Sequence, residues 1–378
     1  MGTQGIQRVL VLGFVIAAPL LAQTAAFEWQ IPKPFPRPAV PADNPMNTAK
    51  VELGRHLFYD KRMSVNGKES CASCHRQELA FTDGRAQAEG TTGELHARSS
   101  MSLANVGYNP LLTWANPGLS SLEEQALIPI LGTNPIELGL KGHEDRFLNE
   151  IARDPVYQKL FPEAFPAEKS FFTMSNVAKA IASFERTLIS VNSAYDRYRY
   201  GNEPDAISDA AKREEVLFFS GERTGCFQCH GSWNLNGALR YEGGGQPRVA
   251  FQNTGLYNIR GELSYPASNT GLYQFTKRRE DVGTFRAPTL RNIALTAPYM
   301  HDGSIATLPE VINHYAAGGR TIASGPNAGI GHDNPNKALN VRGFKLTDAE
   351  ENDLVAFLNS LTDTEFLKNP KFGDPWKR

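Results

Sequence analysis

The chain has 378 residues, 41% of them hydrophobic and 21% charged, with a formal net charge of −1. This is globular composition, with length enough for two domains. A balance so close to neutral argues against a nucleic-acid partner and against a membrane surface held by charge.

In chain order, the N-terminus reads as a secretory signal. Arg8 gives the positive start, Val9 to Leu21 an apolar core too short for a comfortable membrane span, and Thr24-Ala25-Ala26 the small residues of a cleavage site. Residues 1–26 are therefore expected to be removed and the mature chain to begin near Phe27, exported to the periplasm and without a membrane span. A permanent N-terminal anchor is the other reading. Residues 27–46 are proline-rich and predict an extended arm on the body. A helix follows from about Thr48 to Tyr59, with Leu53 and Leu57 on one face.

The next stretch is Cys71-Ala-Ser-Cys74-His75, and it recurs as Cys226-Phe-Gln-Cys229-His230. Each is C-x-x-C-H, the attachment signature of c-type haem. Two thiols add to the two vinyl groups and the adjacent imidazole reaches the iron. The motifs use all 4 cysteines. Two disulfides or a Cys/His zinc site would leave both adjacent histidines unexplained. Export agrees with this, because such haems are attached outside the bacterial cytoplasm and a lack of spare thiols avoids stray disulfides there.

Between the motifs, Ser121-Leu-Glu-Glu124 caps a helix carrying Gln125 and Pro129, and Glu137 follows in an Asn-Pro-Ile-Glu turn. The strongest helical pattern runs from about Ser175 to Tyr195, where Val177, Ile181, Phe184 and Leu188 form a buried stripe. A domain boundary is placed just before it, near Glu168. Both motifs follow a helix, a Leu-Phe pair and a glycine-containing loop, so the chain reads as a repeat. Residues 231–284 predict a long, mostly irregular excursion. Thr307-Leu-Pro-Glu310 is a capping box opening a helix whose apolar face holds Leu308, Val311, Ile312 and Tyr315. On pattern alone Tyr315 is a candidate iron ligand or a core tyrosine, with His314, His301 and Met300 as rivals. A second capping box, Thr347 to Glu350, opens a C-terminal helix with Leu354, Phe357 and Leu358 inward. The expected fold is mainly α: two cytochrome c-like haem domains packed side by side, residues 27–168 and 169–378, with the last helix able to pack back on the first domain.

These features resemble the bacterial di-haem cytochrome c peroxidase superfamily, and within it the MauG-like branch. The matching stretches are Leu53 to Asp60, Cys71 to His75, Ser121 to Ala126, Asn134 to Gly139, Ala182 to Thr187, Cys226 to His230, Phe285 to Ile293 and Thr296 to Gly303. In the peroxidases a methionine fourteen residues past the histidine of Pro-Tyr-x-His-Asp-Gly ligates the second haem. Fourteen past His301 is Tyr315, as in the MauG-like branch. A phenolate is a hard anion that favours oxidised iron, where a thioether raises the potential. The peroxidases' blocking histidine, about sixteen residues after the first haem histidine, corresponds here to Thr91. His96 reads as a loop histidine, so the His75 side is expected to be open. The resemblance implies that Gln125, Pro129 and Glu137 line that pocket, with Glu137 moving the proton when peroxide is cleaved. It implies that Trp114 relays oxidising equivalents between the haems, although it stands eleven residues before Gln125 where the family has ten. It also implies a calcium ion held by Asn105, Thr296 and Pro298, the last two through carbonyls.

The substrates implied are hydrogen peroxide and a periplasmic partner protein oxidised at a distance through a paired high-valent state. Val40 to Met46, Ala49 to Arg55 and Cys74 to Asp83 are most similar to the enzymes of methanobactin-type copper-binding gene clusters. Those convert a tryptophan of a copper-binding partner to kynurenine. Where MauG has an exit tryptophan this chain has Thr224, and Trp233 is the alternative exit or a packing residue. An ordinary peroxidase served by a small cytochrome and a non-catalytic di-haem electron carrier are the rival readings.

Overall fold

The structure is a computed structural model and describes residues 27–377. The expected signal segment, 1–26, lies outside the described residues. The first half is built from α1 (Thr48–Tyr59), α2 (Cys71–Cys74), α3 (Leu122–Leu131), α4 (Glu144–Ile151), α5 (Pro155–Ala164) and α6 (Met174–Glu185). The Asn47 side chain accepts the Lys50 N–H to start α1, and Asp60 ends it in extended backbone. The inward face of α1 (Leu53, Leu57, Phe58) meets Val177, Ile181 and Phe184 of α6 in one apolar core. The two helices approach so closely that a Cβ on Gly54 would lie 1.9 Å from the Ala180 carbonyl oxygen. Gly54→Ala is expected to lower stability by about 1–3 kcal/mol through overpacking, read as a lower denaturation midpoint.

The long helix expected over 175–195 is two helices. It stops at Glu185 and α7 (Ala194–Tyr200) begins at a Ser193/Asp196 capping box. The linker's N–H groups find partners elsewhere: Ser190 N donates to Asn105 Oδ1 (2.8 Å) and Asn192 N to Asp363 Oδ2 (2.9 Å). These tertiary bonds replace the helical ones. The first core runs on through Leu188, past the boundary expected near Glu168, because the α6 stripe packs on α1 and α3.

The second half continues with α8 (Asp209–Phe218), α9 (Phe227–His230), β1 (Phe251–Gln252), α10 (Tyr273–Thr276), β2 (Phe285–Arg286), α11 (Leu308–Ala316), β3 (Thr321–Ile322), β4 (Gly329–Ile330), α12 (Asp348–Ser360) and α13 (Thr364–Lys368). β1 pairs antiparallel with β2, and β3 with β4. α8 packs on α12, and Phe218, Leu354, Phe357 and Leu358 join Tyr265, Phe285 and Ile312 in a second core. As expected, residues 231–284 are mostly irregular. Their buried amides are satisfied locally, for example Asn253 Oδ1 by the Gly255 N–H and the Tyr265 hydroxyl, each at 2.8 Å. α13 returns to the first core with Phe366, held by Gln77 Nε2 donating to the Phe366 and Asn369 carbonyls. The proline-rich arm is extended and touches both halves: Phe35 packs edge-on to Trp233, and Asn44 Nδ2 donates to Lys179 O at 3.0 Å.

Candidate active site

The first centre is a single helical turn. Ser70 caps α2 and its N–H is answered by Ser73 Oγ at 3.0 Å, so the Cys71 and Cys74 thiols are set one turn apart. The chain then folds back sharply. Ala80 (φ 52°) and Phe81 (φ 61°) both take left-handed backbone, a cost of roughly 1–2 kcal/mol each. The result is a Phe81 carbonyl 2.8 Å from His75 Nδ1. That carbonyl takes the Nδ1 proton and leaves Nε2 as the free lone pair. Burial holds His75 below the usual histidine range, in the neutral form that binds metal.

The structure brings the expected distal residues to this centre on α3 and the turn after it. Gln125 is half-buried, and its side chain makes no hydrogen bond to another described residue. Pro129 lies one turn on, and its carbonyl accepts the Leu138 N–H at 2.9 Å, which ties the Glu137 turn to the helix. Gly90 is required opposite: a Cβ there would meet the Ile136 carbonyl oxygen at 1.9 Å. Burial pushes the Glu137 carboxyl up to about 7, and its charge reaches both Cys71 and Cys74. His96 lies in a loop, as expected, but close to Glu137, with its Nε2 3.7 Å from Glu137 Oε1.

The second centre repeats the device. Leu235, left-handed at φ 52°, presents its carbonyl to His230 Nδ1 at 3.0 Å. Cys226, Cys229 and His230 line a cavity of about 200 Å³. The expected face of α11 forms a wall: Leu308, Val311, Ile312 and Tyr315 all line it. Burial, reinforced by the two thiols, raises the Tyr315 phenol well above its usual range, so the phenol is neutral until a cation faces it. His314 points elsewhere, buried with both ring nitrogens unbonded. Met300 and His301 do line the cavity, and His301 stacks on Phe285 with ring centroids 3.7 Å apart.

Trp114 borders the second centre. Its indole lines the second cavity and its Nε1–H donates to Ser99 O at 3.0 Å. Two residues on, the Met101 backbone lies against the His75 ring. Arg286 fixes the tryptophan backbone by bonding to Thr113 O (2.7 Å) and Trp114 O (3.0 Å). The extra residue before Gln125 thus leaves Trp114 beside the second centre. Trp233 packs against Tyr108 (4.8 Å between centroids) and lines a separate surface groove with Tyr195 and Tyr200.

The calcium set is not drawn together by any hydrogen bond. Asn105 Nδ2 donates to Ser190 O and Asn234 Oδ1, and its Oδ1 accepts the Ser190 N–H, so its amide clamps two chain segments. The residue held against Met300 and His301, beside Thr296 and Pro298 in the chain, is Ser99.

These centres fit haem. All four thiols are unpaired, which removes the disulfide reading. Among the described residues no three His, Cys, Asp or Glu side chains are grouped to hold a metal ion, which removes the zinc reading. The buried Arg286 guanidinium lines the second cavity without a carboxylate partner, and burial lowers it to about 10. Arg98, half-buried, has only amide oxygens, those of Asn269 and Gln274, as acceptors. Both suit the acidic groups of a porphyrin. Sequence reading passed over these arginines, since neither stands out by pattern: Arg286 shares its stretch with Arg291.

Fold and site thus define a di-haem c-type oxidoreductase. The comparisons with known proteins agree. A family profile described as di-haem cytochrome c peroxidase matches residues 48–204. The cytochrome-c peroxidase IdrP1 of Denitromonas iodatirespirans is 34% identical over 371 residues, 93% of this chain and 92% of that one. The methylamine utilization protein MauG of Methylophilus methylotrophus is 30% identical, over 92% and 94%. The crystal structure of a MauG-like protein associated with microbial copper homeostasis is 45% identical, with a TM-score of 0.91 covering 93% of this chain and 100% of that one. The chain belongs to the di-haem cytochrome c peroxidase and MauG family. Membership implies two covalently bound haems, for which Cys71, Cys74 and His75, and Cys226, Cys229 and His230, are the holding residues. Among the described residues no helix is long and apolar enough to cross a membrane.

Proposed function

We propose that the chain is a periplasmic enzyme of two cytochrome c-like haem domains that uses hydrogen peroxide to oxidise a partner protein at a distance. The observation that carries this reading is the asymmetry of the centres. The second lines one cavity with His230 and a phenol, Tyr315; at the first, the charge that reaches both Cys71 and Cys74 is the carboxyl of Glu137, with His96 facing it. When bound, the haems supply an iron that takes peroxide at the first centre and a second iron that shares the oxidising equivalents. The residues do the rest. Glu137 accepts the proton from one peroxide oxygen and returns it to the other. Gln125 orients the peroxide through its amide, and Pro129 holds the Glu137 turn in place. Trp114 carries the second equivalent between the centres. Tyr315 is the anionic ligand that favours oxidised iron. Trp233, at its surface groove, is the exit toward the partner.

The likeness to the MauG-like protein associated with copper homeostasis supports a copper-binding partner, with tryptophan converted to kynurenine. The test is to incubate the purified enzyme with peroxide and a periplasmic copper-binding protein and map the product by mass spectrometry. Peroxide-dependent kynurenine is expected. An unmodified partner, with peroxide consumed in step with a reduced small cytochrome, supports the peroxidase reading instead. That reading is favoured by Met300, which lines the same cavity as Tyr315. Calcium enters the proposal only through the Thr296 and Pro298 carbonyls, neither of which accepts a hydrogen bond among the described residues.

A further inference from the structure

The loop over residues 88–96 is built to deliver one side chain. Glu89 bridges Leu95 across it, and the His96 N–H donates to Ala88 O at 2.8 Å. Two bonds pin the loop to the turn that carries Glu137: Thr91 N to Glu137 O at 2.8 Å and Ile136 N to Glu94 Oε2 at 2.9 Å. The register that results faces His96 Nε2 toward Glu137 Oε1 at 3.7 Å. That nitrogen is buried and bonds to nothing else, and the Glu137 carboxylate has no other hydrogen-bond or ion-pair partner among the described residues. Both side chains are half-buried, the imidazole 21% and the Glu137 carboxylate 32% exposed.

We propose that His96 is a positioning and proton-relay residue for Glu137, exchanging protons between the half-buried carboxyl and water. The inference rests on the proposed role of Glu137 in the first centre. The step is a proton transfer only. The proton leaves Glu137 Oε1 for His96 Nε2, the imidazolium releases the proton on its other nitrogen to water, and the reverse sequence reloads the acid. Burial holds the His96 imidazole below the usual histidine range, partly offset by the charges of Asp83 and Glu94; the Cys71 and Cys74 sulfurs, which also face Glu137, are thioethers in the holoprotein. Arg85 is engaged with Glu89 at 3.1 Å, on the exposed side of the loop.

The test compares the holoenzyme with His96→Ala and His96→Gln. Three readouts are taken: the pH profile of the peroxide reaction, its rescue by free imidazole, and infrared titration of the Glu137 carboxyl, assigned with Glu137→Gln. His96→Ala is expected to slow the reaction about tenfold, the low end of what a proton-transferring group supplies. Imidazole is expected to restore the rate and glutamine not to, and the carboxyl midpoint to move because the imidazole facing it is gone. An unchanged midpoint and rate overturn the relay. So does a change of the resting first haem from low-spin to high-spin in His96→Ala, which makes His96 an iron ligand. The infrared shift does not need turnover. If the parent ignores peroxide but the midpoint still moves, the functional reading fails while the His96–Glu137 coupling stands.

Discussion

Glu137→Gln slows the reaction with peroxide by on the order of 10²–10⁴, the range general acid–base groups contribute, if Glu137 moves the proton. The amide keeps the size and cannot accept the proton. Burial pushes the parent carboxyl up to about 7, and a base works only when ionised. The parent rate should therefore climb as pH rises through about 7 and then level, whereas the variant should be flat. Stability has the opposite sign. The folded state disfavours this carboxylate, so its ionisation removes stability as pH rises from the ordinary carboxylate range to about 7. At neutral pH the glutamine variant is then at least as stable as the parent, and its lost rate is not lost fold. Stopped-flow kinetics across pH, with a denaturation midpoint at each pH, checks both signs.

Tyr315→Met is expected to have the second large effect. A thioether in place of a phenolate raises the potential of the second haem by on the order of a few hundred millivolts, within the ~0.8 V that axial ligands span. The variant should lose the shared oxidised state with peroxide and become reducible by a small cytochrome. Methionine fits the volume, and the wall formed by Leu308, Val311 and Ile312 is untouched, so folding should persist. Potentiometry of the two haems checks the first outcome, and peroxide consumption with a reduced cytochrome checks the second. An unchanged potential points to Met300 or His301 as the ligand, since both already line the cavity.

Local rules made much of this legible. The α1 bounds follow from Asn47 and the Leu53/Leu57 face, and the face of α11 that meets the cavity follows from helical period after the Thr307/Glu310 capping box. The haem motifs need no fold to be read. What sequence reading missed depends on long-range bonds. The break after Glu185 exists because Asn105 and Asp363, distant in the chain, take the linker's N–H groups. The same bonds give Asn105 a clamping role that its sequence context did not show. His96 could not be placed beside Glu137 without the Thr91 and Glu94 bonds that fold its loop. That α6, beyond Glu168, packs into the first core was not legible, because a buried stripe shows that a helix packs, not which core receives it.

The most direct measurement is titration of the purified diferric protein with hydrogen peroxide and no reductant, followed by EPR and near-infrared absorption. The resting protein should show one high-spin and one low-spin haem. The account predicts that both ferric signals vanish together, with a near-infrared band and no large organic radical. An enzyme that ignores peroxide until half reduced contradicts it, and with it the assignment of Tyr315 as the second haem's ligand.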